Sequence, residues 1–453
     1  MDILTLIRQT TENQPTNLAF CSLESGNTLS YKELIQGANC VADWLTARGC
    51  RRGERCGLVM ADGSEFLQSA LGILSAGLCV APIPTSLPAR EKDHAVSAAR
   101  LQWLLQADGH LWRLPFSKPV DNRNDADFRA CNPAYIRFTS GTTGAGKCVF
   151  LGHKAIIDRL AAADTAQGVG PTDTVWFGLS MADHFVVSIL LYLSRGARVV
   201  TADSAEKSEQ LVKEYLPTIL YGSPDFYISL IRSRISALQS VRLAISTTTP
   251  LSTEVTESFY RKFGKQLNPA LGIIEVGLLT LNMRSDKIGS VGFPIPAYTV
   301  SLIGENGEPV ARNEVGELHV CGPGLLDAYL SPWRPIQRLL KSHGFATGDF
   351  ARFDEDGYLF LAGRGKNRIR VDGIQFFCEE VESVLNSMPG IQESRVFIDS
   401  RSNLLSAEIV GSPGATERLQ EQLLGRIDEK KVPKAFFLVD VLPRTANGKL
   451  RRT

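Results

Sequence analysis

The run Tyr135-Ile136-Arg137-Phe138, Thr139-Ser140-Gly141-Thr142-Thr143-Gly144-Ala145-Gly146-Lys147, Cys148-Val149-Phe150-Leu151 holds the sharpest local signal in the chain. A β-prone apolar stretch leads into a loop of three glycines and four hydroxyl residues, closed by a lysine, and a second apolar stretch follows. Consecutive small residues let backbone N–H groups converge on phosphate oxygens, and Thr or Ser hydroxyls add donors. Gly141 to Lys147 also fits the spacing GxxxxGK. Two observations weigh against a P-loop nucleotidase. Cys148 stands where a Ser or Thr should ligate Mg2+, and a thiol is a poor ligand for a hard cation. Val149-Phe150-Leu151 continues as a strand, whereas a P-loop must open a helix at the phosphate. The loop alone fits either a strand–loop–strand phosphate cradle or a glycine-rich hairpin with no ligand.

Outward from the loop, the sequence reads as alternating βα units. Upstream, Ser30 with Glu33 forms a capping-box pattern before a helix that stops at Arg48-Gly49. A buried strand at 56–60, a helix at 66–76 and a strand at 78–83 then give the βαβ signature of a mostly parallel sheet. The stretch 108–132 is polar and poorly patterned. Downstream, strands at 174–179, 197–201, 218–221 and 242–246 alternate with helices at 185–195, 204–215 and 225–232. From Gly289 the composition shifts to short β-rich pieces with Gly and Pro turns, predicting a small antiparallel sheet or barrel over about 289–362. The last stretch reads as a compact α+β unit: strands at 367–371, 394–399 and 404–410, helices at 379–388 and 415–427. The fold class predicted is α/β. Residues 1–365 make a large N-terminal core of stacked βα sheets, and 366–453 a small mobile α+β lid.

The chain has 453 residues, enough at about 100–200 per domain for several sizeable cores. Lys plus Arg is 49 and Asp plus Glu 48, which excludes a broadly basic nucleic-acid binder. No stretch approaches the roughly 20 apolar residues of a membrane span. The N-terminus carries no basic n-region or cleavage site, so the expected location is cytoplasmic. Nine Cys without a CxxC pair and six dispersed His give no zinc spacing, and the thiols are expected reduced and mostly buried.

The loop resembles the hallmark of the adenylate-forming superfamily, which includes acyl-CoA synthetases, nonribosomal peptide synthetase adenylation domains and firefly luciferase. Further motifs follow in the family's order. They are LYGSPDFY (220–227), AISTTTPL (244–251), LGIIE (271–275), GSVGFPIPAYTVSLI (289–303), VGELHVCGPGLLDAYL (315–330), TGDFARFDEDGYLFLAGR (347–364) and LPRTANGKLRR (442–452). The resemblance spans nearly the whole chain. It implies two half-reactions: a carboxylate attacks the α-phosphate of ATP to give an acyl-adenylate and pyrophosphate, then a thiol attacks the mixed anhydride. Neither needs a protein nucleophile, so catalysis is positioning and charge neutralisation.

Roles carried over by the resemblance are as follows. Thr139, Ser140, Gly141, Thr142, Thr143 and Gly144 would cradle phosphates beside Lys147. Glu275, with Thr143, would hold Mg2+, since a hard cation wants oxygen ligands. Ser246, Thr247, Thr248 and Gly272 would flank the nucleotide, and Asp349 with Arg364 would bind the ribose. Lys449, in a glycine-containing turn, would reach the α-phosphate and carboxylate oxygens. Asp183, His184, Tyr221, Gly222, Ser223 and Leu271 would wall the acyl pocket. His184 as a gate points to an aryl or short acyl acid, whereas Asp183 as an ammonium ligand would point to an amino acid. Lys366 would be the hinge, and Gly373 would let a pantetheine arm pass close to backbone. The basic residues around Arg364 and Lys430 suit CoA phosphates or an acidic carrier protein.

The chain departs from the family pattern at Ile274 for threonine, Leu271 for an aromatic, Thr247 and Thr248 for glycines, Gly146 for proline and Cys148 for glycine. It is also short between Pro84 and Pro133. The expectation is a stand-alone ligase without a carrier domain, using ATP and Mg2+ to load a small carboxylic acid onto an acyl carrier protein or CoA. The rivals are an amino-acid-specific adenylation domain and a nucleotide-binding pseudo-ligase.

Overall fold

A computed structural model of the chain describes residues 2–114, 122–138, 147–371, 373–444 and 450. Among these, two large sheets dominate. In the first, strands Pro133–Phe138, Cys79–Pro82, Arg55–Val59 and Trp103–Gln106 lie side by side and parallel. Antiparallel additions flank them: Leu111–Arg113 at one side, then Cys148–Gly152, Ala328–Leu330 and Trp333–Pro335 at the other. In the second sheet the parallel order is Asn268–Ile273, Leu243–Ser246, Ile219–Gly222, Thr174–Gly178, Arg198–Thr201, Leu18–Ser22. Short antiparallel strands cover both of its edges.

Strand Pro133–Phe138 pairs antiparallel with Cys148–Gly152, and helix His153–Gln167 begins only after that second strand. The loop at 139–146 therefore joins two strands, and the P-loop alternative falls. Cys148 is 1 % exposed, packed with Cys79, Phe128 and Phe150 in the apolar core, and burial pushes its thiol up to about 12. Its side chain fills space in that core. All nine cysteines are free thiols, and six are buried.

One continuous core runs through both sheets and the helices between them. Helix Ser64–Ser75 is buried on all sides, and Gly72 lets it approach Val41 of helix Tyr31–Ala47 too closely for any side chain. The capping box predicted at Ser30 and Glu33 is present. In this apolar sandwich helix Ser64–Ser75 needs no wide polar face, and apolar residues fall on most of its sides.

Four details differ from the sequence reading. The helix expected at 185–195 is broken into Met181–His184, a π-turn at Phe185–Ile189 and Leu190–Ser194. The polar stretch at 108–132 contains strand Leu111–Arg113 and helix Asn122–Ala130. The segment from Gly289 is not one unit. Phe293–Pro294 joins the second large sheet, Ala328–Leu330 and Trp333–Pro335 join the first, and only the remainder forms a separate antiparallel sheet. The helix expected at 415–427 shrinks to Leu419–Leu423. Periodicity cannot report these, because sheet membership is set by tertiary pairing.

The separate sheet comprises Thr299–Ile303, Gly316–Cys321, Gly344–Phe353, Leu340–Lys341 and Leu359–Arg364. The small C-terminal domain has its own core: helix Cys378–Leu385 packs on strands Ile391–Ile398, Leu405–Gly411 and Ala435–Leu438. It meets the rest through Phe377, whose ring centroid is 5.0 Å from that of Phe350, and through Arg368, 2.7 Å from Glu305.

Phe150 sits where the late strand Ala328–Leu330 closes the first sheet, its ring 4.6 Å from Phe128 and 6.1 Å from Trp333. Phe150→Ala is expected to cost about 3–5 kcal/mol. A thermal melt should show a midpoint lowered by several degrees; an unchanged midpoint would contradict this packing.

Candidate active site

Parallel strands bring chemistry together when their carboxyl ends are level. In the second sheet Gly178 is in register with Gly222, Gly222 with Ser246, and Ser246 with Pro269. The segments after the first three strands start side by side, and strand Asn268–Ile273 runs on from Pro269 to its own turn. They carry Asp183 and His184, then Ser223, then Thr247 and Thr248, then Glu275. Thr247 N–H donates to the Gly222 carbonyl at 3.0 Å, tying two of the loops.

At one end of this row an aromatic cluster forms. Phe177 and Tyr221 are register partners on adjacent strands and stack with centroids 5.5 Å apart and planes 7° off parallel. The His184 ring stands edge-on to Tyr221 at 5.6 Å, with Nδ1 3.3 Å from the phenol oxygen. The π-turn begins immediately after His184, a local irregularity of the kind that marks functional positions. Gly222 and Gly178 both lie under the Phe226 ring, where a Cβ would come within 2.3 and 2.4 Å of it. Ser223 is committed to capping helix Pro224–Arg232, accepting from Phe226 N–H.

Asp183 has a partner the sequence reading missed. Its Oδ1 lies 2.5 Å from Arg137 Nη2, with both side chains largely buried, and Arg137 Nη1 donates to the Ala182 carbonyl at 2.9 Å. Arg137 is on the strand that leads into the Gly/Thr loop. An arginine inside the apolar run YIRF was the signal that could have revealed it.

Glu275 lies in the tight turn between strands Asn268–Ile273 and Gly277–Leu281. Its Oε1 accepts a 2.8 Å hydrogen bond from the Tyr329 hydroxyl. Burial, and then the Glu275 charge, push the Tyr329 phenol far up, so it stays a proton donor. Lys147 Nζ lies 4.8 Å from the centre of the same ring. Glu275, Tyr329 and Lys147 thus come from three distant segments to one place. Ile274, beside Glu275, packs its side chain against the core.

Asp349 and Arg364 are register partners on adjacent strands, Nε 2.8 Å from Oδ1. Asp349 is buried, and its N–H donates to Thr347 Oγ1, which in turn donates to the Leu318 carbonyl. The carboxylate is therefore rigidly aimed. Thr248 shows the physical cost of one sequence departure: it holds φ at +80°, a region that a β-branched residue adopts only under strain. Ser246 is 3 % exposed and its hydroxyl has no hydrogen-bond partner among the described residues. Leu271 packs half-buried on the core, and Gly272 is exposed at a register shift of the same strand.

Lys366 occupies a short 3-10 turn, Gly365–Asn367, between the antiparallel sheet and the C-terminal hairpin. Gly373 turns that hairpin at φ +83°, with no atom within 4 Å of where a Cβ would be. Thr139, Ser140, Gly141, Thr142, Thr143, Gly144 and Lys449 lie outside the described residues. Arg444 and Leu450, which flank the last segment, form an antiparallel bridge.

Removing Asp183 should leave the buried Arg137 guanidinium unpaired. Asp183→Ala is expected to destabilise the protein by about 3–5 kcal/mol, and Arg137→Met with Asp183→Leu to recover most of that. Thermal melts of these two variants beside wild type check this; a double variant no more stable than Asp183→Ala would contradict it.

The family model for the AMP-binding enzyme matches residues 7–330, and that for the AMP-binding enzyme C-terminal domain matches 380–449. Malpibaldin synthetase of Mortierella alpina is 26% identical over 96% of this chain, which spans only 9% of that protein. The 3-hydroxybenzoate–CoA ligase of Aromatoleum sp. (strain CIB) is 25% identical over 94% of this chain and 90% of its own length. The crystal structure of ATP-bound MatB from Rhodopseudomonas palustris superposes with a TM-score of 0.85 at 25% identity, covering 100% of this chain and 97% of that one. With its motifs in order and the family model covering well over half its length, the chain belongs to the AMP-binding enzymes.

Proposed function

We propose that this protein activates a small carboxylic acid with ATP, forming an acyl-adenylate and pyrophosphate, and then passes the acyl group to a phosphopantetheine thiol. The observation that carries the reading is the meeting of Lys147, Tyr329 and Glu275 at the end of the strand that enters the Gly/Thr loop. A cation and an anchored carboxylate beside a phosphate-binding loop are what adenylyl transfer needs, because charge redistributes over phosphate oxygens with no covalent help from protein.

Asp349, buried and fixed by Arg364 and its own backbone, supplies acceptors for two ribose hydroxyls. Glu275 offers a half-buried oxygen donor suited to Mg2+, and the Tyr329 hydroxyl leaves the second carboxylate oxygen for it. Bound there, the ion would neutralise phosphate charge. Lys449 is assigned the contact with the α-phosphate and the attacking carboxylate. Lys366 serves as the pivot about which the C-terminal domain turns between the two half-reactions.

The aromatic trio Phe177, His184 and Tyr221 favours a planar aryl acid over an amino acid. A benzoate-type ring can pack against the part-exposed His184 ring, which the buried Phe177–Tyr221 stack backs. Asp183, the carboxylate an α-ammonium group would need, is already ion-paired with Arg137. The relatives that act on hydroxybenzoate agree with this choice. A pantetheine thiol is common to CoA and to carrier proteins, so the reading names the thiol class, with a carrier protein favoured.

Pyrophosphate release with ATP and Mg2+ across benzoic, hydroxybenzoic, cinnamic, fatty and amino acids tests the first half-reaction. An aryl acid should give the strongest signal; silence with every acid, with ATP binding intact, would leave a pseudo-ligase. Adding CoA in one arm and a phosphopantetheinylated carrier protein in the other identifies the acceptor. Lys449→Ala should lower adenylation by about 10²–10³-fold. It should spare thioester formation from preformed acyl-adenylate, and equal loss of both steps would overturn its role.

A further inference from the structure

Arg159 is 2 % exposed in the middle of helix His153–Gln167, and burial pushes its guanidinium down to about 10. Among the described residues no carboxylate lies within ion-pair distance of it. Its hydrogen bonds go to backbone carbonyls. Nη1 donates to Ile274 at 3.1 Å, while Nε, at 3.0 Å, and Nη2 both donate to Gly324. The Asp327 and Glu275 charges act on it only from beyond ion-pair distance, and a leucine or methionine would fill the same space at lower cost. Its partners explain its presence. Ile274 is the residue before Glu275, and Gly324 opens the segment that runs through Leu326 to Tyr329. The two segments also meet directly, where Leu326 N–H donates to the Glu275 carbonyl at 2.7 Å. The backbone is shaped to admit the arginine: Gly324, at φ +70°, would place a Cβ 2.6 Å from Arg159 Cβ, and Gly277, at φ +107°, one at 3.2 Å.

We propose that Arg159 is a positioning residue that clamps the Glu275 turn to the Gly324 segment and so holds the Glu275 carboxylate against the Tyr329 hydroxyl, in the orientation that receives Mg2+. The proposal rests on the reading of Glu275 as the metal ligand. Groups that orient a ligand from behind typically change metal affinity by about 10–100-fold when removed.

The test measures ATP affinity by isothermal titration calorimetry with and without Mg2+, together with the thermal midpoint, for wild type, Arg159→Met, Arg159→Lys and Glu275→Gln. Arg159→Met is expected to bind metal-free ATP as wild type does, with the Mg2+-linked gain in affinity cut about tenfold. Arg159→Lys, which keeps a cation able to reach one of the two carbonyls, should restore part of that gain. A full Mg2+-linked gain in Arg159→Met would overturn the proposal. So would a loss that is equal with and without Mg2+, follows the thermal midpoint and is not recovered by lysine. If Arg159→Met does not fold, Arg159→Lys decides: an intermediate gain supports the clamp, and a wild-type gain overturns it. Glu275→Gln separates the two levels. If it keeps the gain, the metal role of Glu275 fails and the proposal falls with it. If it loses the gain while Arg159→Met does not, only the role of Arg159 is wrong.

Discussion

The level ends of the parallel strands in the second sheet are the constraint on which the site depends. Register between Gly178, Gly222 and Ser246 makes three segments start at one height, while the neighbouring strand Asn268–Ile273 runs on past that level to the Glu275 turn. The register is held by burial on both faces: a slip of one residue would turn Ile219, Tyr221, Leu243 and Ile245 away from the core they pack in. Stability and site geometry are thus the same set of contacts. The glycines at 178 and 222 belong to this logic, since their missing side chains give Phe226 its place over the strand ends.

Charge in the site is managed by burial and pairing. Three arginines illustrate distinct solutions. Arg364 is half-exposed and fixes Asp349 from across a strand pair. Arg137 is buried and neutralised by Asp183, joining the strand before the Gly/Thr loop to the helix that carries His184. Arg159 is buried and gives its hydrogen bonds to backbone carbonyls, with the Asp327 and Glu275 charges acting from farther away. The guanidinium couples two strands of one hairpin in the first case and segments tens to more than a hundred residues apart in the other two, which its fork of donors suits better than a lysine would.

The βα alternation, the strand after the Gly/Thr loop, the Ser30 cap and the in-register Asp349–Arg364 pair were legible because each is a local pattern or lies within one hairpin. The split of the β-rich stretch from Gly289 among three sheets was not legible, since any strand of that length and composition could pair in several places. Tyr329 sat inside a recognised motif, yet nothing local says that its hydroxyl reaches Glu275, 54 positions earlier. Arg137 and Arg159 carried a faint signal: each is a charge at an apolar position of its strand or helix. The π-turn after His184 leaves no trace in a run of apolar residues that also fits an unbroken helix.

Adenylation requires a carboxylate oxygen to attack the α-phosphate of ATP. Supplying an accepted acid labelled with 18O in its carboxylate, letting the acyl group pass to a thiol, and reading the products by 31P NMR tests that step atom by atom. One 18O is expected in the phosphate of AMP, with unlabelled pyrophosphate. Unlabelled AMP, or ADP with inorganic phosphate, would contradict it.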